Sequence, residues 1–294
     1  MRFSSPVQKR LTALDGRGFF CALLFAGAPF LAGCATLGGA FDSQVHANRL
    51  AGESHFVKES VPTGVFTLTG FTRIQEPGKP LTVYIEGDGR AWLSKNRLSD
   101  DPTPVHPMTL KLATLDDSPN VAYLARPCQY DNSVLEQPCG PEYWSDKRFS
   151  EEVIASMDEA VGFLARQANS RQIHLVGYSG GGAVAVLVAA RRKDIFSIRT
   201  IAGNLDPAAV NSFHHVSPLT GSLNPLSEAK TISSIPQTHF VGSRDKVVPP
   251  VAAENFLKAS GSPCARIVPV DGATHHAGWT ERWKELLKIP VDSC

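Results

Sequence analysis

The chain has 294 residues, of which 43% are hydrophobic and 19% are charged, and its formal net charge at pH 7 is +1. This length and composition fit one globular domain that is large enough for a full apolar core. The near-zero net charge argues against a nucleic acid or another polyanion as a partner. We therefore expect one folded domain that has no nucleic acid partner.

Residues 1–33 have the pattern of a targeting segment. Four basic residues precede an apolar stretch at residues 19–30, which is too short for a comfortable membrane span. The stretch ends in Leu31-Ala32-Gly33-Cys34, which resembles the lipobox of bacterial lipoprotein signals. The resemblance implies cleavage after residue 33 and acyl chains, palmitate among them, on Cys34. An ordinary signal peptide or a short anchor helix is the alternative.

The residue after the predicted lipidated cysteine bears on which membrane the protein is sorted to. Ala35 follows Cys34, and an Asp that would suggest inner-membrane retention is absent from this position. In a bacterium with two membranes this favours the outer membrane, with the protein facing the periplasm. Residues 34–60 are small and polar, so we predict a lipid-anchored tether there and a single domain over residues 61–294.

The cysteines outside the predicted signal suggest disulfides. Cys34 carries the predicted lipid, which leaves four cysteines, an even number, in an oxidising compartment. Three pairings are possible. We favour Cys128–Cys139, which closes a short loop, and Cys264–Cys294, which ties down the C-terminal residue. Free thiols are the alternative, and the spacings resemble no zinc-ligand pattern.

Strands and helices alternate along the predicted domain. A β-branched, alternating stretch predicts a strand at residues 66–74, and an apolar run predicts a buried strand at residues 81–85. Further strands are predicted at residues 121–125, 173–176, 195–202, 236–242 and 265–270, and helices at residues 108–115, 151–168, 183–190, 251–259 and 279–288. The alternation predicts an α/β fold with a mostly parallel central sheet, helices on both faces and no large cap domain.

The strand at residues 173–176 runs into Gly177-Tyr178-Ser179-Gly180-Gly181, which has the pattern Gly-x-Ser-x-Gly. A sharp turn from strand to helix holds its middle residue in a strained conformation, so Ser179 presents its hydroxyl above the sheet edge. The N–H of Gly180, at the helix start, points to where an oxyanion forms. The arrangement resembles the nucleophile elbow of the α/β-hydrolase superfamily.

In that superfamily the catalytic residues follow the chain order Ser, acid, His. Residues 242–249 resemble its Gly-x-x-Asp-x-Val-Val-Pro loop, which implies Asp245 as the acid. A small turn precedes His275, which implies His275 as the base, with His276 as its rival. Asp206, which follows the preceding strand, is the runner-up acid. Each implied residue follows a predicted strand, so we expect the group to meet at one edge of the sheet.

The same resemblance places a second oxyanion donor in Glu86-Gly87-Asp88-Gly89, directly after the strand at residues 81–85. Glu86-Gly87 stands where the superfamily usually has His-Gly. By motif matching the donor is the backbone N–H of Asp88, acting together with that of Gly180. A glycine-rich β-turn without this role is the alternative.

The resemblance implies a serine hydrolase that cleaves an ester through an acyl-enzyme. Ser179 is the nucleophile, His275 the base and Asp245 the orienting acid, and the reaction requires neither a metal nor an organic cofactor. We expect a monomer acting on a small-molecule or acyl substrate. The alternatives are an amidase or peptidase of the same fold, and a binding lipoprotein that has kept the fold without the activity.

Overall fold

A computed structural model describes residues 34–94, 96–130 and 138–291, with side chains from residue 42 onward. The strands are β1 (Val57–Pro62), β2 (Thr67–Ile74), β3 (Leu81–Ile85), β4 (Trp92–Ser94), β5 (Arg97–Leu98), β6 (Asn120–Leu124), β7 (Ile173–Tyr178), β8 (Ile195–Ile201), β9 (Gln237–Gly242) and β10 (Ala265–Val270). The helices are α1 (Cys34–Glu53), α2 (Met108–Thr114), α3 (Glu151–Gln167), α4 (Gly180–Ala189), α5 (Pro207–His214), α6 (Pro225–Glu228), α7 (Val251–Ser260) and α8 (Trp283–Leu286).

Eight strands form one sheet in the order β1-β2-β6-β3-β7-β8-β9-β10, while β4 and β5 form a separate hairpin. The strands β1, β2 and β6 pair antiparallel, and the strands from β6 through β3 to β10 pair parallel. Because the parallel strands point the same way, their carboxyl ends lie along one edge. The predicted fold class, a mostly parallel sheet with helices on both faces, is confirmed.

Alternate side chains of the central strand β3 enter two apolar layers. Val83 and Ile85 belong to the layer beneath α3 and α4, and Tyr84 belongs to the opposite layer beneath α1, α2 and α8. Successive side chains of a strand point to opposite faces. A strand that is covered on both faces therefore shows the continuous apolar run that the sequence has at this position.

The prediction that residues 34–60 form a tether is wrong. They form α1 and β1, and β1 pairs along its whole length with β2. In α1, Ala47, Leu50 and Ala51 lie at helical spacing on one face and are buried in the core with Phe56. Three apolar residues, two of them alanines, were enough for a packed helix.

Two further segments differ from the prediction. Residues 203–225, for which no helix is predicted, contain α5, whose first turn is capped by Asp206 Oδ1 accepting from the N–H of Ala209 at 3.1 Å. The last helix is shorter than predicted, because the indole N–H of Trp279 donates to the carbonyl oxygen of Thr274 at 2.9 Å and holds this stretch in a turn.

Candidate active site

Ser179 occupies the turn between β7 and α4 with φ 52° and ψ −120°. This backbone conformation is strained for a residue with a side chain. The turn is closed by glycines, since a Cβ at Gly177 would overlap the carbonyl oxygen of Gly181, and a Cβ at Gly181 would overlap that of Ile85. The strain and the close packing leave Ser179 partly exposed at the carboxyl edge of the sheet.

The structure brings Ser179, His275 and Asp245 together from the ends of β7, β10 and β9. The Ser179 Oγ atom lies 3.0 Å from His275 Nε2, and His275 Nδ1 lies 2.8 Å from Asp245 Oδ2. A carboxylate only accepts hydrogen bonds, so Nδ1 carries the proton and donates it to Asp245. Nε2 is then free to accept the hydroxyl proton of Ser179.

The Asp245 carboxylate is buried and fully engaged. Its Oδ1 atom accepts from the backbone N–H groups of Val247 at 2.7 Å and Val248 at 2.9 Å. Burial opposes ionisation, but the hydrogen bonds from His275 and from these two amides outweigh it, so the pKa of Asp245 lies below its usual value. The runner-up acid, Asp206, is occupied elsewhere, with Oδ2 accepting from the Asn255 side chain at 2.8 Å.

Contacts with neighbouring side chains fix the position of His275. The Tyr178 hydroxyl donates to the carbonyl oxygen of His275 at 3.0 Å, and the Trp279 indole donates to the same oxygen at 3.1 Å. The Nδ1 atom of His276 lies 2.9 Å from the Tyr178 hydroxyl. Since that hydroxyl already donates to His275, His276 Nδ1–H is the donor. The two adjacent histidines therefore have different surroundings.

The segment after β3 lies directly beside the nucleophile. A Cβ at Gly87 would come within 3.3 Å of Ser179 Cβ, and a Cβ at Gly180 would overlap Asp88 Oδ1. The buried side chain of Gln129 donates to the carbonyl oxygen of Gly87 at 3.0 Å and holds the segment in place. The predicted oxyanion residues Asp88 and Gly180 are thus in contact, next to Ser179.

Glu86, at the start of this segment, is buried. One carboxyl oxygen accepts from the N–H of Gly87 at 2.9 Å, and the hydroxyl groups of Thr109 and Tyr123 lie close to the carboxyl group. Burial raises the pKa of Glu86 to about 7, against the opposing effect of these hydrogen-bonding groups. The carboxyl group of this residue therefore holds its proton more readily than an ordinary glutamate does.

Two arginines that had no expected role in the site pair with Asp88. Arg126 follows β6, and its Nη1 atom lies 3.4 Å from Asp88 Oδ1. Arg148 precedes α3, and its Nε atom lies 3.5 Å from Asp88 Oδ2. Arg126 directly follows a predicted strand, and this position could have indicated that it lies at the site. Arg148 had no such signal in the sequence, because it reaches the site through the folding of a long loop.

Hydrogen bonds connect the three loops around the site. The Trp144 indole donates to the carbonyl oxygen of Ser99 at 3.1 Å, and Asp146 accepts from the N–H groups of Thr220 at 2.6 Å and Gly221 at 3.0 Å. The loops that follow β3, β6 and β8 are therefore linked to one another by hydrogen bonds.

A surface cavity of about 660 Å³ lies away from this site, at the far end of α4, and is lined by Phe196 among others.

The structure pairs Cys128 with Cys139 in the second of these loops. Cys264 is buried and disulfide-bonded, while its predicted partner Cys294 lies outside the described residues. The described residues also exclude the predicted signal at residues 1–33 and the side chain of Cys34.

None of the helices in the described ranges combines the length and the hydropathy that a membrane span requires. The same residues contain no group of three or more His, Cys, Asp or Glu side chains that could hold a metal ion.

Comparison with known proteins identifies the fold. No protein-family model matches the chain, and no curated protein is significantly similar to it in sequence. An esterase from Pyrococcus furiosus is 16% identical, with a TM-score of 0.55 over 79% of this chain and 90% of that chain. Est1E from Butyrivibrio proteoclasticus is 14% identical, with a TM-score of 0.52 over 78% and 97% of the two chains.

An α/β serine hydrolase homologue from Coxiella burnetii is 15% identical, with a TM-score of 0.52 over 78% of this chain and 93% of that chain. These likenesses and the sheet described above define an α/β-hydrolase fold. In the described part of the chain this fold has no large cap domain.

Proposed function

We propose that the protein is a serine hydrolase that cleaves an ester through an acyl-enzyme. Ser179 is the nucleophile, His275 the general base and Asp245 the acid that orients it. The proposal rests on the unbroken hydrogen-bond chain from Ser179 Oγ through the His275 ring to Asp245. A strained serine between a strand and a helix, with a base and a buried acid in line, is the arrangement that acyl transfer requires.

The proposed reaction begins when Ser179 Oγ attacks the carbonyl carbon of the ester. The hydroxyl proton passes to His275 Nε2, and the Asp245 carboxylate stabilises the imidazolium through Nδ1–H. The carbon–oxygen bond to the leaving group then breaks, and the alkoxide takes the proton from Nε2 and departs as an alcohol. Water, deprotonated by His275, attacks the acyl-enzyme and releases the acid and free Ser179.

Negative charge develops on the carbonyl oxygen in both steps. The N–H of Gly180 belongs to the first turn of α4, where backbone N–H groups have no intrahelical acceptor, so it is suited to bind this oxygen. The backbone N–H of Asp88 is the proposed second donor. Gln129 supports this role because it fixes the carbonyl oxygen of Gly87, the residue before Asp88.

The preference for an ester over an amide draws on the esterases among the structural neighbours, which also include a peptidase. The Pyrococcus furiosus protein is named an esterase, and among the described residues we find no large cap domain that would form a groove for an extended peptide. Turnover of 4-nitrophenyl acetate by the purified protein tests the proposal.

We expect Ser179→Ala to lower the rate of ester hydrolysis by at least about 10³-fold. Ser170→Ala, a change of a surface serine bonded to Gln172, is the matched control and is expected to keep full activity. Equal turnover by wild type and Ser179→Ala would overturn the assignment of the nucleophile.

We also propose that Cys34 is lipidated and that the protein faces the periplasm from the outer membrane. The lipobox-like residues 31–34 support this proposal. Along α1 the backbone rises about 20 Å between Cys34 and the buried Ala47, so the folded domain would sit close to the lipid surface. Metabolic labelling with palmitate should mark the wild type and not Cys34→Ala. Equal labelling of both proteins would contradict the proposal.

A further inference from the structure

Two arginines and one carboxylate form a charged cluster beside Ser179. Asp88 pairs with both Arg126 and Arg148, and its carboxylate rests against Gly180, the residue that follows the nucleophile. The Phe149 ring lies against both guanidinium groups, at 5.3 Å from each. The cluster is thus built into the wall of the site, one side chain away from the elbow.

The cluster carries an excess of positive charge. Asp88 is the one carboxylate that pairs with either arginine in the described ranges of the chain. The Arg126 side chain is 5% exposed and that of Arg148 is 13% exposed. Burial lowers the pKa of Arg126 to about 10, which still leaves it cationic at neutral pH. Buried charges are normally paired, because an unpaired one loses its hydration without compensation.

The two arginines are not equally occupied. Arg126 donates from Nη2 to the carbonyl oxygen of Arg148 and from Nη1 to Asp88. Arg148 Nε lies 3.5 Å from Asp88 Oδ2, which gives an ion pair without a hydrogen bond at that nitrogen. Neither terminal nitrogen of Arg148 has a hydrogen-bond partner among the residues that the structure describes. One arginine that binds both oxygens would be enough to fix the Asp88 carboxylate in place, so this purpose does not require a second arginine.

The free edge of Arg148 is accessible from solvent through its partly exposed side chain, and the Asp88 side chain beside it is 23% exposed. Arginine presents two parallel N–H groups that match the two oxygens of a carboxylate. We propose that Arg148, backed by Arg126, binds a free carboxylate on the substrate. This rests on the proposed function and narrows it to esters that carry a second, negatively charged carboxyl group.

Ester pairs that differ only in charge test this inference. With the carboxylate on the acyl side, monomethyl succinate is compared with methyl levulinate, which has a methyl ketone in place of the carboxylate. With the carboxylate on the alcohol side, acetoxyacetate is compared with acetoxyacetone. Acid release by the wild-type protein is followed by titration at constant pH. We expect kcat/KM to be at least about tenfold higher for the anionic ester in one of the pairs.

The Arg148→Met variant assigns the preference to the arginine. We expect it to lower kcat/KM for the preferred anionic ester by about 10- to 100-fold, the effect of losing a charged hydrogen bond. Turnover of the neutral twin should fall by a clearly smaller factor, and the turnover that remains reports that the variant folds. Arg49→Met, which removes an exposed arginine paired with Glu53 on α1, is the matched control and should change neither rate.

Equal wild-type rates within both ester pairs overturn the inference, whatever the variant does. An equal loss on charged and neutral esters in Arg148→Met also overturns it, since that result shows a merely structural arginine. If the wild-type protein hydrolyses no ester at all, the proposed function fails and the inference fails with it. Turnover of neutral esters without a charge preference overturns the inference alone.

Discussion

The substitution Asp245→Asn tests how the acid orients the base. Asp245 Oδ1 accepts from two backbone N–H groups, those of Val247 and Val248, while Oδ2 accepts from His275. An asparagine has only one oxygen, and the two fixed N–H groups will retain it. The NH₂ group must then face His275 Nδ1, which has to accept, so the imidazole proton moves to Nε2 opposite Ser179.

In that tautomer His275 cannot take the hydroxyl proton of Ser179. A triad acid replaced by its amide costs about 10⁴ in kcat, which corresponds to about 5 kcal/mol of transition-state stabilisation. We therefore expect Asp245→Asn to lower kcat for 4-nitrophenyl acetate by about 10⁴, with little change in the melting temperature. The side chain keeps its size and its bonds to the two amides, so the fold has no reason to change.

Asp206→Asn is the matched control, because Asp206 is an equally buried acid that caps α5 and bonds Asn255. Its kcat should stay within about threefold of wild type, since a cap contributes to stability and not to the reaction. Retention of more than about a tenth of the activity in Asp245→Asn would refute the tautomer reasoning. Loss of activity in Asp206→Asn alone would move the acid to that residue.

Three further predictions concern stability. Burial raises the pKa of Glu86 from 4.5 to about 7, so between these pH values the folded state binds a proton that the unfolded state has lost. The free energy of unfolding of the wild type should therefore fall by about 3 kcal/mol as the pH rises from about 4.5 to 7. In urea unfolding, Glu86→Gln should flatten this fall. Gly177→Ala, whose Cβ would overlap the Gly181 carbonyl oxygen, should cost more than about 3 kcal/mol, whereas Gly52→Ala, with nothing within 4 Å, should be neutral or stabilising in thermal melts. Replacing Cys128 and Cys139 by serine should cost about 3 kcal/mol in the same melts, and an unchanged melting temperature would show that the loop needs no cross-link.

The local pattern of the chain predicted the turn at Ser179, and a resemblance to a known superfamily supplied its expected partners. The buried run of β7, the glycines around Ser179 and the small helix after it are consecutive in sequence, so one short stretch specifies the turn. Asp245 and His275 come from distant parts of the chain, but each directly follows a parallel strand. Parallel strands end at a common edge, which is why the residues implied by the resemblance were expected to meet there.

The parts that the sequence did not predict depend on contacts between distant segments. The stripe of α1 has only three apolar residues, which pack in the core beside α2, so composition alone resembled a tether. Arg148 reaches Asp88 because its loop is closed over the site by Asp146 and by the Cys128–Cys139 disulfide. Neither contact leaves a periodic or motif-like trace in the residues around it.

Mapping the site of covalent labelling by a fluorophosphonate tests the central claim, a nucleophilic serine at the elbow, most directly. These reagents react with a serine whose hydroxyl is activated by a base. Peptide mass spectrometry of the labelled wild-type protein should place the adduct on Ser179, and Ser179→Ala should remain unlabelled. Absence of labelling in the wild type, or equal labelling of Ser179→Ala, would contradict the claim that Ser179, His275 and Asp245 form a catalytic triad.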